Sequence, residues 1–195
     1  MVANLARTWG ARILLPVARF FGNLGLTANA VTVFGFFLTV AVAAVLATGQ
    51  TQLAGVLLIF TLGFDAVDGT LARLTGTTSV FGAFLDSTLD RWAEIAVYGA
   101  LVWNFLILND DRAVLLAVTA LAASLMVSYT RARAEGIGVP CKDGLLTRFE
   151  RLVILIVGLI FNLTVWALAI ITVLATVTAV QRILATWRLS GSTNK

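Results

Sequence analysis

Histidine is absent from this chain of 195 residues, which also has only one cysteine and two prolines. Without histidine the chain has no imidazole base, no phosphohistidine intermediate and no imidazole metal ligand. The single cysteine, Cys141, cannot form an internal disulfide. Any catalysis must therefore use carboxylates and cationic groups.

Charged residues are also scarce, at 12% of the chain, against about a quarter in soluble domains. Hydrophobic residues make up 59%, and the mean hydropathy is +0.96. Apolar runs close to the roughly 20 residues that a bilayer requires recur along the chain. We therefore predict an all-α, polytopic membrane protein.

Six such runs predict six transmembrane helices in a single membrane domain, residues 1–195. An amphipathic helix precedes them in residues 1–24, because arginines alternate with apolar residues at helical spacing from Leu5 to Phe21. A polar tail, residues 188–195, follows them, and we expect it to fray after Ser190. The predicted spans are Val31 to Thr48, Leu53 to Leu74, Val80 to Leu108, Arg112 to Ala134, Arg148 to Leu163 and Thr164 to Trp187.

The basic residues predict the orientation of these spans. If the N-terminus is inside, Arg112 is the only basic residue near an outer loop. This asymmetry predicts a multi-pass protein of the cytoplasmic membrane with both termini, and the loop of Cys141, on the cytoplasmic side. The net charge of +4 is scattered between apolar runs, which favours anionic lipid or phosphate as a partner and argues against nucleic acid.

Four aspartates interrupt the hydrophobicity of the second and third spans. Asp65 and Asp68 lie three residues apart near the end of the second span, and Asp86 and Asp90 lie four apart at the start of the third. Each pair therefore shares one helix face, at the predicted cytoplasmic end, and charges at such positions are usually functional. Gly69 and Ala72 continue the same face and would let a diphosphate approach the backbone.

Four converging carboxylates repel one another unless cations are bound between them. All-oxygen ligation favours Mg²⁺, with Mn²⁺ as a substitute, so we predict Asp65, Asp68, Asp86 and Asp90 as metal ligands. Structural ion pairs are the plain alternative, but the aspartates outnumber the local arginines. A divalent cation transporter is a remote alternative, although transporter sites usually lie near the membrane midplane.

The pattern D-x2-D-G-x2-A-R-x8-G-x3-D-x3-D, which begins at Asp65, resembles the signature of the CDP-alcohol phosphotransferase family. The resemblance implies a six-helix homodimer that transfers a phosphoryl-linked lipid from a CDP-lipid and releases CMP. It implies that Asp65, Asp68 and Asp86 bind metal, while Asp90 contacts metal and is the catalytic base. Positions that match the family near the CDP-lipid are Asn29, Thr32, Gly69, Arg73 and Ser79.

The segment around Asn29 leaves two interpretations open. The family usually has proline where this chain has Ala28, and Asn29 and Thr32 could instead cap the first span.

Arginines near the fourth and fifth spans suggest a phosphorylated acceptor. The fourth span ends in a stretch that contains Arg131 and Arg133, and the fifth opens with Arg148, Glu150 and Arg151. Guanidinium groups bind phosphate oxygens in a bidentate fork, although basic residues also anchor helix ends in the membrane.

The S-Y-T-R-A-R-A-E stretch and the later R-F-E-R-L resemble the bacterial phosphatidylinositol-phosphate synthases, which carry proline at the position of Phe149. That resemblance implies that Arg131, Arg133 and Arg151 bind the phosphate of inositol 1-phosphate, with CDP-diacylglycerol as donor. Phosphatidylglycerol-phosphate synthase and archaetidylinositol-phosphate synthase activities remain as alternatives.

Overall fold

The computed structural model describes residues 14–141 and 144–193. Within these ranges the chain forms seven helices and no strands, which confirms the all-α class. The helix α1 covers residues 14–23 of the described chain. The others are α2 (Ala28–Ala47), α3 (Thr51–Thr75), α4 (Val80–Ile107), α5 (Asp111–Gly136), α6 (Arg148–Ile160) and α7 (Thr164–Thr193).

Four of these helices, α2, α3, α5 and α7, are long and apolar enough to cross a membrane. The six predicted spans correspond to α2 through α7, so each is confirmed as a helix. The 13 residues of α6 rise only about 20 Å at 1.5 Å per residue, less than the hydrocarbon core. The first half of α4 carries Asp86, Asp90 and Arg91, and Glu94 follows directly after it. The count of six crossings therefore stays a prediction.

The two ends of the chain depart from the sequence-based expectation in different ways. Most of the predicted amphipathic segment, residues 1–13, lies outside the described residues. At the other end, α7 was predicted to end at Trp187 and the tail to fray, but the helix continues to Thr193. The helix therefore extends past the predicted end of the last span, and the fraying of the tail after Ser190 stays a prediction.

The first of two compact units comprises the described part of Met1–Ala44 together with Val56–Val97. Its core joins α1, α2 and α3 through Ala18, Val31, Val67 and Leu71, all of them buried. The ring of Phe64 on α3 lies 5.9 Å from that of Phe21 and 5.7 Å from that of Phe34. These contacts hold the segment of α3 that carries Asp65 and Asp68.

The second unit comprises Val45–Gly55 and the described part of Tyr98–Lys195. Here α7 packs against both α5 and α6. Thr147 and Glu150 form a capping box at the start of α6, in which the Thr147 backbone amide donates to a Glu150 carboxylate oxygen over 2.7 Å. Near the end of α6, an added Cβ at Gly158 would lie 2.4 Å from the Cβ of Ala167, so only glycine permits this close approach to α7.

Candidate active site

The turn from α3 to α4 brings the two pairs of aspartates into the same region of the first unit. Gly76 adopts a φ of 66°, the left-handed conformation that ends α3. Ser79 then caps α4, because its hydroxyl accepts from the backbone amide of Gly82 over 2.9 Å. The end of one aspartate-bearing helix therefore lies beside the start of the next.

A cavity of about 240 Å³ lies at this turn, and we call it the aspartate cavity. Asp68 of α3 and Asp86 of α4 both line it. Its remaining lining residues come from the start of α2, the end of α3, the turn and the start of α4: Ala28, Asn29, Thr32, Gly69, Ala72, Arg73, Thr77, Thr78, Ser79, Gly82 and Ala83. The five positions matched to the family's CDP-lipid residues are all among them.

Asp68 is the most buried of these charged groups, at 6% exposure. Its Oδ2 accepts from the hydroxyl of Thr32 over 2.7 Å, and its Oδ1 accepts from the backbone amide of Gly69 over 2.5 Å. One donor comes from α2 and the other from α3, so the carboxylate is oriented from two sides. An oriented carboxylate on the wall of a cavity is suited to bind a cation.

The other aspartates relate to the aspartate cavity in different ways. Asp65 and Asp86 both lie within electrostatic reach of Asp68. Asp90 lies 3.4 Å from the guanidinium of Arg91, and in the described chain neither Asp65 nor Asp90 lines the cavity. No three acidic or cysteine side chains among the described residues are grouped closely enough to hold a metal ion. The meeting of all four carboxylates on shared ions therefore stays a prediction.

The first turn of α2 is capped by a residue that the sequence interpretation did not consider. The Thr27 hydroxyl accepts from the backbone amide of Ala30 over 3.2 Å. Asn29 and Thr32 are thus available for the cavity, and the capping interpretation of these two residues is wrong. Ala28, which stands where the family usually has proline, also lines the cavity.

Gly69 and the guanidinium of Arg73 lie next to each other at the aspartate cavity. An added Cβ at Gly69 would lie 3.5 Å from the Nη1 of Arg73. The Arg73 guanidinium also donates to the hydroxyl of Thr70 over 3.2 Å, which holds it near the cavity. A phosphate group could therefore approach the α3 backbone and contact a guanidinium at the same place.

The three arginines predicted to bind the acceptor belong to the second unit and differ in exposure. Arg131 and Arg133 are exposed, and Arg131 forms an ion pair with Glu135 over 2.9 Å. Arg151 is only 2% exposed. A buried guanidinium requires compensating groups around it, so loss of the Arg151 side chain would leave those groups without their partner. Arg151 is therefore a structural residue as well as a candidate binding residue.

Arg182 on α7 is a charged residue that the sequence interpretation missed. It is 4% exposed and donates to the backbone carbonyl of Val127. Arg131 and Arg151 both lie within electrostatic reach of it. Its position in an otherwise apolar run was a visible signal, since charge within such a helix usually has a specific role.

The chain is similar to known proteins over most of its length. The family model of CDP-alcohol phosphatidyltransferase matches residues 25–183. The phosphatidylinositol phosphate synthase of Mycobacterium marinum is 34% identical over 201 residues, covering 97% of this chain and 86% of that protein. The archaetidylinositol phosphate synthase of Pyrococcus horikoshii is 33% identical over 168 residues, covering 86% and 87%.

Solved structures agree with these relatives. The crystal structure of Mycobacterium tuberculosis phosphatidylinositol phosphate synthase with CDP-DAG bound is similar with a TM-score of 0.85 and 32% identity, covering 91% of this chain and 94% of that chain. The same enzyme in complex with manganese and citrate gives a TM-score of 0.84 at 32% identity, covering 89% and 88%.

The chain belongs to the CDP-alcohol phosphatidyltransferase family. It is therefore a CMP-releasing phosphatidyltransferase and, with its four long apolar helices, a multi-pass membrane protein. Membership in this family argues against the function of a divalent cation transporter, which the sequence alone left as a remote alternative.

Proposed function

We propose that this enzyme transfers the phosphatidyl group of CDP-diacylglycerol to a hydroxyl of inositol 1-phosphate, giving phosphatidylinositol phosphate and CMP. The observation that carries the proposal is the aspartate cavity, which is lined by Asp68, Asp86 and all five positions of the family's CDP-lipid pattern, Arg73 among them. The relatives named as phosphatidylinositol phosphate synthases support the choice of donor and acceptor.

Mg²⁺ is the proposed cofactor, with Mn²⁺ as a substitute, and Asp65, Asp68, Asp86 and Asp90 are the proposed ligands. The donor set fits because it consists of carboxylates, two of which, Asp68 and Asp86, line the same cavity. The manganese complex of the mycobacterial relative supports this assignment. When bound, a divalent ion would neutralise negative charge that develops on the CMP leaving group.

The chain's own side chains have separate roles in the proposed reaction. Asp90 removes the proton from the acceptor hydroxyl as that oxygen attacks the phosphorus bonded to the diacylglycerol oxygen. The phosphoanhydride bond then breaks and CMP leaves. Gly69 lets the diphosphate approach the α3 backbone, where Arg73 contacts its oxygens, and Asn29, Thr32 and Ser79 line the same site.

Arg131, Arg133 and Arg151 are proposed to bind the phosphate of the acceptor. Arg131 and Arg151 both lie close enough to Arg182 to interact with its charge. This proximity supports a cluster of positively charged side chains in the second unit. Guanidinium groups in such a cluster suit a phosphorylated alcohol better than a neutral one.

We place the enzyme in the cytoplasmic membrane with six crossings, both termini and the active site on the cytoplasmic side, and a homodimeric state. The basic residues concentrated on one side of the predicted spans support this orientation. The family resemblance supports the dimer.

An alternative donor is supported by one of the relatives. The similarity to the archaetidylinositol phosphate synthase of Pyrococcus horikoshii favours an ether-linked donor as the alternative. Glycerol 3-phosphate, which would give phosphatidylglycerol phosphate, is the alternative acceptor.

The decisive assay uses purified protein, Mg²⁺, CDP-diacylglycerol and radiolabelled acceptors in parallel. Inositol 1-phosphate is expected to yield labelled lipid and an equal amount of CMP, while free inositol yields none. A labelled product from glycerol 3-phosphate alone would contradict the proposed acceptor, and turnover only with an ether-linked CDP-lipid would contradict the proposed donor.

A further inference from the structure

The start of α2 contacts both helices that carry the aspartates. On one side, the Thr32 hydroxyl bonds to Asp68 of α3. On the other, an added Cβ at Gly82 of α4 would lie 3.1 Å from the Oδ1 of Asn29. Asn29 and Thr32 are three residues apart and therefore share one face of α2. Gly82 in turn lies one helical turn before Asp86.

The Thr32 hydroxyl has two acceptors within reach but only one proton to donate. Its Oγ1 lies 3.0 Å from the backbone carbonyl oxygen of Ala28 and 2.7 Å from the Oδ2 of Asp68. A carboxylate is the stronger acceptor, and the shorter distance is typical of a charge-assisted hydrogen bond. The Thr32 hydroxyl therefore donates its proton to Asp68 and not to the carbonyl of Ala28.

This bond fixes the direction in which Asp68 presents its oxygens. The Gly69 backbone amide holds Oδ1 from within α3, while Thr32 holds Oδ2 from another helix. A carboxylate held at both oxygens keeps one orientation, and each oxygen retains a lone pair for a further partner. Hydrogen-bond donors of this kind orient metal ligands and change their affinity for the ion.

We propose that Thr32 is a positioning residue that orients Asp68 for divalent-metal binding, rather than a residue whose main role is contact with the CDP-lipid. Asn29, packed against Gly82, sets the approach of α4 and so of Asp86. The first turns of α2 therefore contact both helices whose carboxylates line the aspartate cavity. This inference rests on the proposed function, because it assumes that Asp68 is a metal ligand.

The test replaces the Thr32 hydroxyl with a methyl group in Thr32→Val and retains it in Thr32→Ser. Thr39→Val is the matched control, since Thr39 lies on the same helix and its hydroxyl donates to the carbonyl of Gly35 in that helix. Mn²⁺ binding is measured by electron paramagnetic resonance on the detergent-purified, full-length proteins without substrate. The KM for CDP-diacylglycerol is measured separately at saturating Mn²⁺.

Thr32→Val is expected to weaken Mn²⁺ binding about 10- to 100-fold, the usual effect of losing such a supporting hydrogen bond. Thr32→Ser and Thr39→Val are expected to bind Mn²⁺ as the wild type does. At saturating Mn²⁺, the KM of Thr32→Val for the CDP-lipid should change less than its Mn²⁺ affinity. If Thr32→Val does not fold, Thr32→Ala takes its place with the same expectation.

Two other results have distinct meanings. Unchanged Mn²⁺ affinity in Thr32→Val, with a raised KM for the CDP-lipid, would overturn the positioning role and leave the proposed function intact. A wild-type protein that binds no Mn²⁺ and releases no CMP would instead overturn the proposed function itself.

Discussion

At the scale of single residues, the main feature of the candidate site is the Asp68 carboxylate, both of whose oxygens accept hydrogen bonds. Small residues such as Gly69 and Ala72 line the cavity beside it. Asp68 is held by Thr32 and Gly69, and the Arg73 guanidinium lies beside the same glycine. The motif singled out Asp68 and Asp86, which both line the aspartate cavity, but helical periodicity relates residues only within one helix. It did not reveal the Thr32 bond, which joins residues 36 positions apart in two helices.

Asp90→Asn tests the proposed base. Asparagine keeps the size of the side chain but cannot accept the proton, so turnover is expected to fall by about 100- to 10,000-fold. Binding of the CDP-lipid should be retained, as measured by calorimetry. Wild-type turnover in this variant would remove Asp90 from the role of base.

Arg131→Ala separates acceptor binding from stability. The Arg131–Glu135 ion pair is about half exposed at both side chains, so its loss should cost at most about 1 kcal/mol of folding free energy. The KM for inositol 1-phosphate is expected to rise about 10-fold or more if one charge-assisted bond to phosphate is lost. The measurement pairs acceptor kinetics with thermal denaturation.

Arg151→Ala is expected to differ from Arg131→Ala in its effect on stability. Because Arg151 is buried, its truncation is expected to lower thermal stability as well as acceptor use. An unchanged KM for inositol 1-phosphate in Arg131→Ala, together with equal losses for every acceptor in Arg151→Ala, would contradict the acceptor site.

At the scale of helices, the sequence predicted the elements better than their ends. Six apolar runs match α2 through α7, because burial in a bilayer or in a helical core imposes long hydrophobic stretches. The end of α7 was missed because polar composition alone does not terminate a helix. The capping box at Thr147 and Glu150 was readable from the T-x-x-E pattern but was not used.

Gly158→Ala tests the close approach of α6 and α7. The new methyl group would lie 2.4 Å from the Cβ of Ala167, which cannot rotate away, so unfolding is expected to become easier by about 1–3 kcal/mol. Gly99→Ala is the matched control, since no heavy atom lies within 4 Å of an added Cβ there. Alanine at this helix position should leave stability unchanged or raise it by about 0.5–1 kcal/mol. Thermal denaturation in detergent compares the two variants, and equal melting temperatures would contradict the packing of α6 against α7.

At the scale of the whole molecule, the match of residues 25–183 to one family covers most of the chain, including parts of both compact units. Composition alone indicated a membrane protein, since few soluble domains have so little charge. The number of crossings could not be derived in the same way. The short α6 and the charged first half of α4 depart from the length and composition of a typical span.

The central claim is that helices α3 and α4 jointly hold a divalent ion, and direct metal binding tests it most simply. Mn²⁺ titrations followed by electron paramagnetic resonance compare the wild type with Asp68→Asn and Asp86→Asn, one change on each helix. The account predicts that the wild type binds Mn²⁺ and that each substitution alone weakens binding at least about 10-fold, because each removes a charged ligand. Wild-type Mn²⁺ affinity in either variant would contradict a site shared between the two helices.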